Sequence, residues 1–303
     1  MSKMEILMIP SEHDGLKLSV ATIVPESTPV GLVQFAHGMA EHKERYFPLM
    51  EYLAEQGFAC IINDHRGHGA SVKSYEDLGY FYKDGGRGLV KDMHQLSVWF
   101  RKKYPGLPLT LVGHSMGSLA ARAYAAQYGR DIDALILSGS PGFNPAVKVA
   151  LGLTKVIAAL KGSQHVRSKL MAGLLNGSFS KAFKGESEFA WLSKNRENVE
   201  KYEADPLCGF GFTINGYRAL LNLMIAAYDQ KNGIRKNLPV HFMSGEDDPC
   251  APDRKGFDHA IENMRQRGCA HVTGTMYPDL RHEIFNEGKT EIWEDLAKHL
   301  KRK

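Results

Sequence analysis

The sequence predicts an α/β fold, a mostly parallel central sheet flanked by helices, with a helical insertion late in the chain. Two observations carry the core of that reading. Short apolar runs rich in β-branched residues alternate with helix-length amphipathic stretches, and strands joined in this way run parallel through crossover connections. One such run, residues 109–112, enters Gly113-His-Ser-Met-Gly117 and then an Ala/Leu-rich stretch, the pattern of a buried strand turning sharply into a helix. The third observation is a change of rhythm, because no strand-like run occurs from 142 to 236. The chain therefore divides into a core of residues 1–141 and 237–303 and an insertion of residues 142–236.

Residues 6–10 and 18–24, joined by the Asp14-Gly15 turn, read as a hairpin at the sheet edge, its first strand opening near residue 4. Residues 31–37 form a buried strand that ends in His37-Gly38-Met39-Ala40-Glu41-His42. An amphipathic helix over 46–56 sets Phe47, Met50, Leu53 and Ala54 on one side and stops at Gly57. The strand over 58–63 runs into Asp64-His-Arg-Gly-His-Gly-Ala-Ser71, where two glycines favour a tight loop. Residues 74–87 are polar and irregular. A long helix over 88–104 turns Leu89, Met93, Leu96 and Phe100 inward and stops at Pro105. Gly129 ends the helix after Ser115, and residues 134–138 form another strand.

Within the insertion, residues 147–160, 167–175 and 217–229 have helical spacing, with Phe179, Phe183, Phe189 and Trp191 in loops between them. That apolar content exceeds what helices lying on a sheet need, so part of it is available to line an apolar pocket. The strand pattern resumes over 238–244 and leads into Gly245-Glu-Asp-Asp-Pro249. A helix over 253–267, a last strand over 272–277, Arg281-His282-Glu283 and a closing helix over 288–300 complete the chain.

Composition narrows the classes of function. Apolar residues make up 43% and charged residues 24%, ordinary values for a globular protein. The net charge of +4 is scattered, with small basic clusters only at 101–103 and 298–302, both near helix ends. No aromatic-interleaved basic stripe accompanies them, which argues against a nucleic-acid partner. No leader-like segment opens the chain and no apolar run approaches the roughly 18 residues of a membrane span, so the expected compartment is the cytoplasm. The four cysteines, Cys60, Cys208, Cys250 and Cys269, lack both paired spacing and the density of a disulfide scaffold, and Cys60 reads as apolar filler in a strand. There is no H-E-x-x-H string. Asp64, His65 and His68 do not repeat a zinc-site pattern, and Gly85-Gly-Arg-Gly88 lacks the order of a phosphate loop. No metal or organic cofactor is implied.

The chemistry gathers around Ser115. A G-x-S-x-G string is common by chance and can be a plain turn, but between strand and helix it strains the serine backbone and lifts the hydroxyl clear of the sheet. Such a hydroxyl becomes a nucleophile when a base takes its proton and a third group orients that base. In doubly wound sheets the chemistry lies beyond the carboxyl ends of the parallel strands. Ser115 follows one such strand, Asp247 and Asp248 another, and His282 the last, between a strand and a helix, whereas most of the other 12 histidines lie inside predicted helices or before strands. Between the two carboxylates composition alone does not decide; Asp248 precedes Pro249, which biases it to extended backbone. His114 is expected in the core, its side chain turned from the hydroxyl. Backbone donors for a developing oxyanion are the amides of Met116, which follows the serine, and of Met39, in the glycine-softened loop of the neighbouring strand.

These residues resemble the α/β-hydrolase superfamily, in its monoacylglycerol lipase and lysophospholipase-like branch, also grouped with serine aminopeptidases. The resemblance rests on His37-Gly-Met-Ala-Glu-His42 with Arg45-Tyr46, Asp64-His-Arg-Gly-His-Gly-Ala-Ser71, Gly113-His-Ser-Met-Gly117, Gly245-Glu-Asp-Asp-Pro249 and Arg281-His282-Glu283. It implies a catalytic triad of Ser115, His282 and Asp248, oxyanion amides on Met39 and Met116, and a helical cap over 142–236. It also implies cleavage of carboxylic esters, with monoacylglycerols or lysophospholipids as typical small-molecule acyl substrates. Asp205-Pro-Leu-Cys-Gly-Phe-Gly-Phe-Thr213 is similar to a segment of bacterial relatives of this branch. An amidase or aminopeptidase using the same triad is the alternative, for which Glu186, Glu188, Glu200 and Glu203 are candidates to hold a substrate amine; a non-catalytic binding protein of this fold is a further one. Apolar cap faces would serve substrate, transient membrane-surface contact or a partner subunit, and the sequence leaves the oligomeric state open.

Overall fold

The computed structural model describes residues 3–301 apart from 182, 184, 232, 252 and 253. In chain order its strands are β1 (Met4–Pro10), β2 (Lys17–Ile23), β3 (Gly31–Ala36), β4 (Phe58–Asn63), β5 (Leu109–His114), β6 (Ala134–Ser138), β7 (Val240–Gly245) and β8 (Val272–Tyr277). They form one sheet in the order β1-β2-β4-β3-β5-β6-β7-β8. The hairpin β1–β2 is antiparallel, with Met4 opposite Ile23 and Pro10 opposite Lys17, and β2 is antiparallel to β4. From β4 to β8 every pairing is parallel. Every residue of β3, β4, β5 and β7 is buried, as continuous apolar runs in a sheet covered on both faces require.

Alternate residues of each central strand feed two cores. Leu32 and Ala36 of β3 join a core with Leu89, Met93, Leu96 and Phe100 of α2 (Gly86–Lys103) and Leu119 of α3 (Met116–Tyr128). Val33 and Phe35 face the other way, toward Leu49, Met50 and Leu53 of α1 (Phe47–Glu55).

Between β6 and β7 lie α4 (Val147–Lys161), α5 (Lys169–Lys181), α6 (Arg196–Ala204) and α7 (Ile214–Tyr228), the inserted helical region. Two sequence expectations are corrected here. Phe179 lies within α5 rather than in a loop, and α6 went unrecognised. The second miss has a physical cause: Arg196–Ala204 buries only Val199 and Tyr202, too little for an apolar stripe to show. What starts α6 is its cap, the Asn195 side chain accepting from the amides of Glu197 and Asn198. Beyond β7, α8 (Arg254–Gln266) packs on the first core and α9 (Thr290–Leu300) on the second. The expected start of the former at 253 lies outside the described residues. No helix among the described residues is long and apolar enough to cross a membrane.

Candidate active site

The parallel strands bring the loops after β3, β5, β6, β7 and β8 to one edge of the sheet. At the end of β5 the chain turns into α3 through Ser115, whose φ of 50° and ψ of −118° lie where L-residues are strained. Two glycines make room for the turn. A Cβ on Gly117 would fall 2.0 Å from the Ala36 carbonyl oxygen, and one on Gly113 2.6 Å from that of Gly117. The register sets His114 beside Ser138, and the Ser115 amide donates to the Ser138 carbonyl at 2.9 Å.

Across the end of β6 stands His282. A Cβ added to Gly139 would lie 3.0 Å from its Nδ1 and Cε1, so the ring occupies the space that this glycine leaves free. Its Nδ1 sits 2.9 Å from both carboxylate oxygens of Asp248. Of the two candidate acids, Asp248 is the one buried against the ring, at 1% exposure, whereas Asp247 is exposed and pairs with Lys194 at 2.7 Å. Burial by itself lifts the Asp248 pKa, but the facing imidazolium, its hydrogen bond and the Cys250 amide carry it below the usual carboxylate value. Burial likewise favours neutral His282, and Asp248 outweighs it, raising the ring well above its ordinary value. The ring and the Ser115 hydroxyl make no hydrogen bond to one another among the described residues; such bonds are often long until substrate draws the groups together.

The loop after β3 lies beside the elbow, with a Cβ on Gly38 falling 3.3 Å from that of Ser115. Glu41 holds the loop in shape. Its carboxylate accepts from the Gly38 amide, from the Tyr46 hydroxyl at 3.0 Å and from Arg45 at 2.8 Å. The amides of Met39 and Met116 donate to no protein acceptor among the described residues, and Met116 heads α3, where amides lack intrahelical acceptors. Both amides belong to segments next to the Ser115 turn.

Several neighbours were not foreseen from sequence. Arg45 reaches from the Met39 loop to Glu283, next to His282, and to Asn198 of α6. Trp191, from the insertion, packs its ring 5.0 Å from that of His282. His114 is buried as expected, yet its ring lies against His282 at 4.7 Å, and burial pushes it down to a pKa of about 3. Cys250 sets its Sγ 3.9 Å from His282 Nε2, and burial pushes this thiol up to about 11, so it stays protonated at neutral pH. The proximity of Cys250 to the Asp248 string was the only hint available; nothing local announced the rest.

Of the glutamates considered for an amine-binding role, Glu186 pairs with Arg281 at 2.8 Å and Glu200 with Arg196 at 2.7 Å.

A mostly parallel sheet with an inserted helical region and a strained serine elbow beside a buried Asp–His pair defines an α/β-hydrolase. The comparison with known proteins agrees and goes further. The chain belongs to the family described as serine aminopeptidase, S33, whose model matches residues 27–289. It is 29% identical to a monoacylglycerol lipase of Mycolicibacterium smegmatis, covering 93% of each chain. It is 26% identical to a human monoglyceride lipase over 90% of this chain and 86% of that one. In structure it superposes on a thermostable carboxyl esterase of Bacillus coagulans, solved with glycerol, with a TM-score of 0.90 and 26% identity, covering 99% of this chain and 98% of that one. The protein is an enzyme that hydrolyses esters.

Proposed function

We propose that this enzyme cleaves monoacyl esters of lipid type, monoacylglycerols or lysophospholipids, through Ser115, His282 and Asp248. The observation that carries the reading is the buried Asp248–His282 pair at the rim of the sheet, set across Gly139 from the Ser115 elbow. Ser115 attacks the ester carbonyl as His282 Nε2 takes its proton, and Asp248 on Nδ1 holds the ring and stabilises the imidazolium. The amides of Met39 and Met116 receive the oxyanion, each worth about 3 kcal/mol of barrier. His282 returns the proton to the leaving alcohol, and water, activated by the same ring, releases the acid from the acyl-serine.

Residues 142–236 serve as the cap. Trp191 and Phe179, with rings 4.9 Å apart, supply apolar surface beside His282 suited to an acyl chain. The curated relatives named as monoglyceride lipases support the same substrate class. The pairing of Glu186 and Glu200 with arginines weighs toward ester over aminopeptide substrates.

A series of glycerol monoesters from acetyl to long-chain acyl tests the reading. We expect kcat/KM to rise with chain length; an optimum at acetyl assigns the enzyme to small esters instead.

A further inference from the structure

We propose that His42, Asp205 and Cys208 bind a single divalent cation of zinc type, which ties the insertion to the loop after β3. This inference is independent of the substrate reading above. The residues come from two distant segments: His42 closes the loop that carries Met39, and Asp205 and Cys208 form the turn after α6. The separation is too wide for any contiguous zinc spacing to mark it.

The donor set is one nitrogen, one carboxylate oxygen and one sulfur, the mixture that zinc takes. His42 Nε2 lies 2.7 Å from Asp205 Oδ2, and the three ligand atoms all lie within 4.8 Å of one another. Bonds of about 2.0–2.3 Å to a tetrahedral ion place ligand atoms roughly 3.3–3.7 Å apart. The site therefore closes if the His42–Asp205 contact opens slightly and Cys208 turns in.

The supporting contacts are already those of a metal histidine. Glu44 sits on His42 Nδ1 at 2.6 Å, orienting Nε2 toward the site and raising its basicity as a ligand. The Leu207 amide holds Asp205 Oδ1 at 2.8 Å, leaving Oδ2 for the cluster, and the Cys208 amide fixes the turn on the Asp205 carbonyl at 2.9 Å. The nearest lysine and arginine are engaged elsewhere, and the ion has to displace the proton that His42 Nε2 shares with Asp205. Lys43 binds Asp64 as well as Glu44, and Arg45 binds Glu41 and Glu283. Asp205 is 31% exposed along its side chain, which gives an ion a way in and a water a place as fourth ligand.

The position gives the ion a structural task. The insertion also grips Ala40, next to Met39, through the Gly209 amide and the Tyr202 hydroxyl, each 2.9 Å from its carbonyl oxygen. A cation across His42 and Cys208 would add a third tie at that joint and stabilise the folded chain in proportion to its occupancy.

The test uses the full chain, treated with chelator and titrated with Co2+. We expect one Co2+ per chain with a thiolate-to-cobalt absorption band in the near ultraviolet, displaced by Zn2+, and a higher Tm with either ion. Cys208→Ser and Asp205→Asn should each lose the band and the Tm gain, two variants serving in case one fails to fold. Cys250→Ser should keep both, which separates this cluster from Asp248, Cys250 and His282, whose ligand atoms are also within 4.8 Å of one another. Absence of the band overturns the proposal, as does a band that survives Cys208→Ser or disappears in Cys250→Ser.

Discussion

Arg45 and Glu283 meet in a two-pronged ion pair, 2.6 Å at each contact, that joins the loop after β3 to the loop after β8. Both side chains are largely buried, and Glu41 completes the network from the other side of the guanidinium. One arginine thereby couples the loop that offers the Met39 amide to the loop that carries His282. Burial would raise Glu283, but Arg45 holds it down at about 2. Removing one member of a buried pair strands the other charge, at a cost of about 3–5 kcal/mol. Arg45→Met should lose stability on that scale in urea titrations, and Arg45→Lys, with a single point charge, should recover only part of it. A loss below about 1 kcal/mol in Arg45→Met would show that the network contributes little.

The backbone of Ser115 separates two effects that serine replacement usually confounds. Ser115→Ala should abolish labelling by a fluorophosphonate and leave the Tm nearly unchanged. Ser115→Gly should be equally inactive yet more stable than the alanine variant by about 1 kcal/mol, because it releases strain at a φ of 50°. Calorimetry of the pair decides, and equal stability would mean that the elbow holds no strain.

The pH profile follows from the Asp248–His282 pair. His282 must be neutral to accept a proton, and its pKa is raised, so the acid limb of kcat/KM should fall above pH 6.5, the ordinary histidine value. Asp248→Asn removes the cause. It should move that limb down and lower kcat by about ten-thousand-fold, since the amide also favours the wrong tautomer. A limb at the same pH in both proteins would exclude Asp248 as the partner.

Stability should fall in acid for a different reason. His37, His65, His68 and His114 are buried, and burial lowers all four, His65 to about 3 and His68 to about 4. Below pH 6.5 the unfolded chain takes up protons that the folded chain refuses. Each such ring then withdraws up to about 1.4 kcal/mol of stability per pH unit until its folded pKa is reached. Among the described residues both ring nitrogens of His65 lack a hydrogen-bond partner, and its ring lies 4.1 Å from that of His37, tilted by 36°. His65→Leu should therefore flatten the decline in Tm between pH 6.5 and 5, and an unchanged slope would acquit this ring.

We expect the outer face of the insertion to touch anionic lipid. Val149, Val156 and Leu160 of α4 and Leu170 and Leu174 of α5 are exposed, and residues 142–185 contain seven Lys and Arg and no Asp or Glu. Sedimentation with phosphatidylglycerol vesicles should carry the protein down, and phosphatidylcholine vesicles should do so less. Lys148→Glu with Lys155→Glu should weaken the first interaction, and binding indifferent to lipid charge would refute it.

Regular elements were legible in the sequence wherever burial is strong and local. The continuous apolar runs of β3, β4, β5 and β7 and the stripes of α1 and α2 announce themselves within a few residues. The elbow was legible because Gly113 and Gly117 answer a steric demand set by their immediate neighbours. α6 was hidden because its helix depends on a cap and two buried residues. Arg45 could be quoted as part of a string but given no task, since Glu283 is 238 residues away and only the fold brings them together. Trp191 was visible as apolar surplus without a destination, because nothing local to it specifies that it will face His282.

Trp191 is where the insertion meets the sheet at His282. The wall beside the imidazole belongs to the insertion, while the imidazole itself belongs to the sheet. Swinging the insertion aside to admit a long acyl chain would also hydrate the ring, weaken the pull of Asp248 across a wetter gap and loosen its orientation.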